Sequence, residues 1–126
     1  MNVTLNIKEN TLRKEGRQEY AVVRGEEVVG VVELFNYDPV DMRAELGLFI
    51  KETERGKGYG KAALAELLRH CKETLRLHQV VCDVAVDNLA SLRLFERLGF
   101  TRCGILKEWT ATPHGWTDAV RLQAII

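Results

Sequence analysis

Short alternations of apolar and polar residues dominate the first fifty positions and predict β-strands. Positions 3–7 alternate in this way, which predicts a short strand, and the charged positions 8–18 predict a turn or a short helix. Two β-branched runs follow at 20–23 and 28–35, separated by a short segment that contains Gly25. Runs at this spacing predict a β-hairpin.

The next predicted strand, Arg43–Ile50, carries different side chains on its two faces. Because side chains alternate along a strand, one face presents the aliphatic residues Ala44, Leu46, Leu48 and Ile50. The other face presents Glu45, Gly47 and Phe49.

A helical period begins after position 60. Apolar residues recur at spacings of three and four between 61 and 75, which predicts an amphipathic helix over that range. Residues 79–86 are almost continuously apolar, as in a strand that is covered on both faces.

A second helix is predicted after Asn88, whose side chain is suited to cap it, and Gly99 is suited to end it. Its apolar side is formed by Leu94, Phe95 and Leu98. Residues 101–109 and 116–125 predict two further strands, and 110–115 predicts a loop between them. This order of elements predicts one α/β domain, 1–126, around a mixed sheet.

Composition narrows the class of protein. The 126 residues include 18 Lys and Arg and 18 Asp and Glu. Nucleic-acid and membrane-surface proteins usually carry an excess of basic residues, so we expect neither partner. The sequence has no long apolar run and no signal-peptide pattern, so we expect a cytoplasmic protein. Its Cys and His residues do not have the spacing of zinc ligands, so we expect no metal. Its cysteines are then expected to be reduced, buried thiols: Cys71, Cys82 and Cys103.

The sharpest feature is the polar, glycine-rich segment 52–60 between the third strand and the first helix. Its glycines permit tight turns and a close backbone approach to a ligand: Gly56, Gly58 and Gly60. The following helix directs free N–H groups and its positive dipole end into this loop. Three basic residues add charge: Arg55, Lys57 and Lys61. The segment therefore predicts a site for a phosphate-bearing anion.

Other interpretations of this loop are possible. A Walker A loop needs a glycine where Arg55 stands and Ser or Thr where Ala62 stands, so that motif fails. A Rossmann loop has the pattern GxGxxG early in a βαβ unit, whereas this one reads GxGxG after several strands. A glycine loop that only turns the chain stays open from this segment alone.

Two blocks resemble the GNAT family of N-acetyltransferases. Arg55-Gly56-Lys57-Gly58-Tyr59-Gly60 matches the family's RxxGxG signature, and the run 86–100, which contains Asn88 and ends Leu98-Gly99-Phe100, is similar to its second block. Arg43-Ala44-Glu45-Leu46-Gly47 and Gly115-Trp116-Thr117-Asp118 are most similar to the branch of spermidine and ribosomal-protein N-terminal acetyltransferases. The resemblance implies the GNAT fold, an α+β arrangement with a mostly antiparallel mixed sheet and two main helices.

The resemblance also implies an activity and a site. Acetyl-CoA would donate its acetyl group to a primary amine, which attacks the thioester directly; the acceptor is a polyamine, a protein N-terminus or another small amine. The residues expected to contact acetyl-CoA are Leu48, Ile50, Arg55, Gly56, Lys57, Gly58, Tyr59, Gly60, Asn88 and Ser91. Glu45 is the expected proton acceptor, and its alternative role is that of a solvated carboxylate paired with Arg43 or Lys51.

Two departures from the family pattern matter. Phe95 stands where many members have a tyrosine that protonates the leaving thiolate. Only a short segment precedes the first hairpin, so we expect a reduced wall around the acceptor and an exposed sheet that favours a homodimer. Two other functions stay open: a CoA-binding module without turnover, and another kind of phosphate- or nucleotide-binding protein.

Overall fold

A computed structural model describes residues 3–6 and 11–126. The predicted strand position Ile7 and part of the segment 8–18 lie outside the described residues. The helices are α1 (Leu12–Glu15), α2 (Tyr59–Glu73) and α3 (Leu89–Arg97), with a 3₁₀ turn at Glu52–Glu54. The strands are β1 (Val3–Asn6), β2 (Gln18–Arg24), β3 (Glu27–Asp38), β4 (Arg43–Ile50), β5 (Gln79–Ala85), β6 (Thr101–Thr112) and β7 (Gly115–Ile125).

In the described part of the chain, seven strands form one sheet in the order β1-β2-β3-β4-β5-β7-β6. Strands β4 and β5 pair in parallel, and every other neighbouring pair is antiparallel. The predicted fold class, a mixed and mostly antiparallel sheet with two main helices, is therefore confirmed.

The first predicted hairpin is formed by β2 and β3. Arg24 pairs with Glu27 across a two-residue turn, in which Gly25 has a φ of +63°. Two-residue hairpin turns need left-handed backbone conformations that glycine adopts without strain. Strand β3 of this hairpin also pairs with β4, so β4 has an antiparallel partner along most of its length.

The core lies on one face of the sheet and is covered by α2. The apolar stripe of this helix includes Leu64, Leu67 and Cys71, each with no exposed surface. These side chains face the buried side chains of the strands, because alternation brings every second strand residue to the same face. The backbone N–H of Leu5 also donates to Glu66 Oε2 at 3.3 Å, which ties the edge strand β1 to α2.

Helix α2 begins and ends two residues earlier than its hydrophobic pattern predicts. It begins at Tyr59 because Gly58, with a φ of +82°, ends the loop in a left-handed conformation. It ends at Glu73, after which the N–H groups of Thr74 and Leu75 both bond to the His70 carbonyl. Leu75 is still 2% exposed, so the apolar stripe continues past the end of the helix.

The predicted loop 110–115 is wrong. Strand β6 continues to Thr112, which pairs with Gly115 across a two-residue turn. The Thr112 hydroxyl donates to the Gly115 carbonyl at 2.7 Å and accepts from the N–H of His114 at 3.2 Å. These side-chain bonds close the turn, so the strands extend further than their apolar residues indicate.

Strand β5 is covered fully on one face only, which corrects its prediction. Val80, Cys82 and Val84 are buried, whereas Gln79 and Asp83 lie on a half-buried face. That second face carries polar and charged groups, which keep part of their hydration.

The exposed position of Cys103 is a second correction. Cys71 and Cys82 are buried, but Cys103 lies exposed on the edge strand β6. Its neighbours Arg102 and Gly104 flank a shift in the β6–β7 register, and both faces of the strand are open there. An apolar run in sequence therefore did not correspond to burial at this edge.

The buried hydroxyl of Tyr20 generates a test of stability. It has no hydrogen-bond partner among the described residues. Because a buried polar group without a partner is destabilising, Tyr20→Phe should raise the free energy of unfolding by about 1 kcal/mol. Tyr59→Phe is the matched control, since the Tyr59 hydroxyl accepts a hydrogen bond from Arg24 at 2.8 Å. Urea unfolding measures both, and an equal loss of stability in the two variants would contradict this account.

Candidate active site

The site begins where strands β4 and β5 part. Their parallel pairing covers Arg43 with Gln79, Ala44 with Val80, and Glu45 with Val81, and then stops. Strand β4 continues to Ile50 beside β3, and β5 continues beside β7. From position 46 onward, the backbone of β4 on its β5 side therefore faces a gap instead of a neighbouring strand. Unpaired strand backbone can bind an extended ligand by hydrogen bonds.

The glycine-rich loop lies at the open end of this gap. Gly56 and Gly58 have φ values of +74° and +82°, which place the backbone in the left-handed region. Gly58 is the N-cap of α2, and no side chain caps this end or adds an acidic residue to the first turn. The first N–H groups of the helix and its positive dipole end are therefore available to an anion.

A cavity of about 520 Å³ connects these two features. Its lining includes all but one of the cofactor residues expected from sequence: Leu48, Ile50, Arg55, Gly56, Gly58, Tyr59, Gly60, Asn88 and Ser91. It also includes Phe49, Glu54, Lys61, Ala90, Leu94 and Arg97. Cationic groups and a helix end at one part of the cavity, with aliphatic side chains at another, suit a ligand that has an anionic end and an extended apolar arm.

Gly60 brings the helix close to the strand at this cavity. A Cβ at this position would lie 3.2 Å from Leu48 Cδ2 and 3.4 Å from Leu94 Cδ2. The first distance is tighter than ordinary van der Waals contact, so the Leu48 side chain would have to shift by a few tenths of an ångström to admit a side chain at position 60. The third glycine of the loop therefore serves packing as well as backbone conformation.

Arg55 is held at the cavity wall by two contacts. Its Nε donates to the Ile50 carbonyl at 2.9 Å, and its guanidinium lies 5.6 Å from the centre of the Phe49 ring. The first contact ties the loop to the end of β4, and the second places a cation against an aromatic face. Phe49 was not among the residues expected from sequence, because its contact with Arg55 depends on how the loop folds back.

Lys57 is the expected cofactor residue that does not line the cavity. Its Nζ donates to Glu54 Oε2 at 3.1 Å, and Arg24 Nη1 donates to the same oxygen at 2.9 Å. The hydrogen bond from Lys57 and the charges of both basic groups hold the pKa of Glu54 below its usual range. Arg24 also donates to the Tyr59 hydroxyl at 2.8 Å, so one side chain from the first hairpin braces both ends of the loop.

The N-terminus of α3 forms another wall. Asn88 caps this helix, as predicted, because its side chain accepts a hydrogen bond from the N–H of Ser91 at 3.3 Å. The cap uses Oδ1 of the amide and leaves Nδ2 outside the cap. Asn88 can therefore cap α3 and donate to a ligand at the same time.

Glu45 lies at the end of the parallel pairing, outside the lining of the cavity. Its Oε1 accepts from Arg121 at 3.0 Å, and its Oε2 accepts from Asn36 at 2.7 Å. The expected alternative partners were Arg43 and Lys51, but Arg43 pairs with Asp38 and Asp41. Glu45 is three residues before Leu48, about 10 Å along the strand, and on the opposite face.

Phe95 belongs to the core and not to the cavity. It is 4% exposed, and its ring packs edge-on against Phe100 at a centroid distance of 5.1 Å. The neighbouring Leu94 lines the cavity instead. Burial also raises the pKa of the Cys71 and Cys82 thiols to about 12, so neither is a ready nucleophile.

Within the described residues, no cluster of His, Cys, Asp and Glu side chains is arranged to hold a metal ion. None of the described helices is both long enough and apolar enough to cross a bilayer.

Comparison with known proteins shows the family. The sequence-family model of the acetyltransferase (GNAT) domain matches residues 3–101, so the chain belongs to the GNAT acetyltransferase family. The ribosomal-protein-serine acetyltransferase of Escherichia coli is 29% identical over 85% of this chain. The spermidine N(1)-acetyltransferase of Vibrio cholerae is 30% identical over 78% of it. The chain spans 59% and 57% of the lengths of these two relatives.

Solved structures share the fold. Mutant forms of the spermidine/spermine N-acetyltransferase SpeG from Vibrio cholerae superpose with a TM-score of 0.86 at 24% identity, over 91% of this chain and 70% of that one. A dodecameric structure of the Vibrio cholerae spermidine N-acetyltransferase gives the same TM-score and identity, over 91% of this chain and 68% of that one.

The role of the loop backbone can be tested at Gly58. Gly58→Ala places a Cβ at a φ of +82° and should shift the helix N-terminus, so we expect CoA to bind at least about tenfold more weakly. Gly16→Ala is the matched control, because Gly16 has a φ of +76° and ends α1. Isothermal titration calorimetry with CoA compares them, and equal affinities would contradict the proposed role of the loop.

Proposed function

We propose that this chain is an N-acetyltransferase that transfers the acetyl group of acetyl-CoA to a primary amine in a ternary complex. The observation that carries the proposal is the gap between β4 and β5, with a glycine-rich loop and the uncapped N-terminus of α2 at its open end and the carboxylate of Glu45 beside its closed end. The family membership supports the same reaction class.

The cavity side of the gap fits the co-substrate. The N–H groups at the start of α2, with Arg55, would hold the pyrophosphate, and Lys61 and Arg97 add positive charge at the cavity. The backbone of β4 at Leu48 and Ile50 would hold the pantetheine arm, together with Asn88 and Ser91. Lys57 supports the loop through its pair with Glu54 and adds positive charge next to the expected pyrophosphate position.

The reaction needs a proton acceptor. The amine nitrogen forms a bond to the thioester carbonyl carbon, the C–S bond breaks, the thiolate leaves, and the nitrogen gives up a further proton to solvent as the amide forms. An amine with a pKa near 10 is mostly protonated at neutral pH, so it must lose a proton before it attacks. Glu45, directly or through water, takes this proton, and a free backbone N–H of β4 stabilises the charge that develops on the carbonyl oxygen.

The leaving thiolate receives no proton from position 95, because Phe95 has none to give and lies in the core. A free thiol has a pKa near 8.5, so its thiolate is a tolerable leaving group. Tyr59 and Ser91 both line the cavity and carry hydroxyls that can donate to the thiolate, and the Tyr59 hydroxyl also accepts a hydrogen bond from Arg24.

The acceptor is a cationic amine. The sheet face that carries Glu45 has two clusters of ion pairs. In one, Glu45 and Asp83 both pair with Arg121. In the other, Glu19 and Glu33 both pair with Arg17. Each of these clusters leaves one excess negative charge, which attracts an ammonium group to this face. The names of the relatives describe polyamine and ribosomal-protein substrates, both of which offer amines.

One relative also supports self-association. A homologous acetyltransferase forms a dodecamer, and this chain has three large apolar residues more than half exposed along its last hairpin: Ile105, Trp109 and Trp116. We propose that the chain forms at least a homodimer. The unpaired, buried thiols of Cys71 and Cys82 suit a reducing compartment.

Binding of acetyl-CoA is the first test. At about 100 times its dissociation constant, a ligand adds about 2.7 kcal/mol to the free energy of unfolding. For a domain of this size we expect the melting temperature to rise by roughly 8–16 °C, with CoA release when a polyamine or an N-terminal peptide is added. A shift without CoA release would indicate a CoA-binding module, and a larger shift with ATP would indicate another nucleotide-binding function.

Glu45→Gln tests the proton acceptor. We expect kcat to fall by about 10²-fold or more, because an amide cannot accept the proton, while acetyl-CoA affinity stays the same. Glu73→Gln is the control, since Glu73 is ion-paired with Arg69 on the exposed side of α2. Initial rates of CoA release and calorimetric affinities decide the matter; a fully active Glu45→Gln enzyme would remove Glu45 from the mechanism.

A further inference from the structure

Arg121 connects three strands at the point where the active-site gap opens. From β7, its Nε donates to Asp83 Oδ1 at 2.8 Å and its Nη2 donates to Asp83 Oδ2 at 2.9 Å. The same Nη2 donates to Glu45 Oε1 at 3.0 Å. Glu45 is the last β4 residue paired with β5, and Asp83 is two residues past its partner Val81. The guanidinium therefore lies across the closed end of the gap.

The geometry makes Asp83 the anchor and Glu45 the oriented group. The two-bond contact with Asp83 fixes the plane of the guanidinium, which a single hydrogen bond would not do. Glu45 then receives one hydrogen bond on each oxygen, from Arg121 and from Asn36. The side chains of Glu45 and Asp83 are only 21% and 16% exposed, so solvent screens this contact less than it screens a surface ion pair.

Besides Arg121, the described group that holds the Glu45 carboxylate is Asn36 on β3, through one hydrogen bond at 2.7 Å. The direct partner of Glu45 on β3 is Phe35, and its direct partner on β5 is Val81, neither of which has a polar side chain. Without Arg121, the carboxylate would keep only its bond to Asn36 and could adopt other rotamers. Loss of a fixed geometry lowers the rate of a proton transfer even when the transferring group is still present.

We infer that Arg121 is a positioning residue, which holds the carboxylate of Glu45 in place for proton transfer and is itself held by Asp83. This inference rests on the proposed function, because it assigns a role within the same reaction. An alternative role for Arg121 is a purely structural clasp between β4, β5 and β7. The two roles differ in whether the effect of Arg121 on turnover depends on Glu45.

A double-mutant cycle separates these roles. We expect Arg121→Gln to lower kcat by about tenfold or more, with the KM for acetyl-CoA changed by less than about twofold. Arg121→Lys keeps the charge without the two-bond geometry and should recover part of the rate. In a Glu45→Gln background, Arg121→Gln should cause little further loss, because its target is already absent. The control is Arg102→Gln, which breaks a comparable two-bond pair between Arg102 on β6 and Glu96 on α3.

Each outcome decides the inference. An Arg121→Gln enzyme as active as Arg102→Gln, or a loss that multiplies with that of Glu45→Gln, overturns the positioning role while the proposed function stands. A parent protein that binds acetyl-CoA but acetylates no amine overturns both. If Arg121→Gln does not fold, Arg121→Lys is compared in the same cycle, and melting temperatures establish that the active variants are folded.

Discussion

The seam between β4 and β5 is the constraint on which the site depends. Three residue pairs join these strands, and the backbone of β4 beyond them lacks a β5 neighbour. A buried strand with unsatisfied N–H and C=O groups would be unstable, so these groups must face water or a ligand. The gap is thus a consequence of incomplete pairing within an otherwise regular sheet.

The alternation of side chains along β4 separates the two kinds of chemistry around that gap. Leu48 and Ile50 project toward the cavity between α2 and α3, whereas Glu45 projects from the opposite face. A single strand can therefore contact an anionic co-substrate on one face and attract a cationic acceptor on the other. Under the proposed function, the strand residues that hold the co-substrate and the carboxylate that accepts the proton therefore lie on opposite faces of β4.

Sequence reasoning could find what depends on local order. The hairpin, the cap at Asn88 and the loop at Gly58 each follow from residues that are close in sequence, and the structure contains all three. The two-block resemblance added the fold, which periodicity alone left at the level of an α/β domain.

The rest depended on contacts between distant residues. Arg24 bonds to Tyr59 at the end of the glycine-rich loop, although the two residues are 35 positions apart in sequence. Arg121 and Glu45 are 76 positions apart. A charge pattern carries no signal for such pairs, because any surface arginine looks the same in sequence. The same holds for Lys57, whose motif position predicts a ligand contact but gives no sign of the ion pair that its side chain forms with Glu54.

The three-pair seam also divides the sheet into two halves, β1–β4 and β5–β7, each of which is held by antiparallel pairing. Halves joined so weakly are expected to open as separate cooperative units, which amide hydrogen exchange would resolve. The cavity takes Leu48 and Arg55 from the first half and Asn88 and Leu94 from the second. A ligand that contacts both halves would couple their opening, so the two halves would unfold in one transition instead of two. The co-substrate would then stabilise the join between the halves that the sheet itself leaves short.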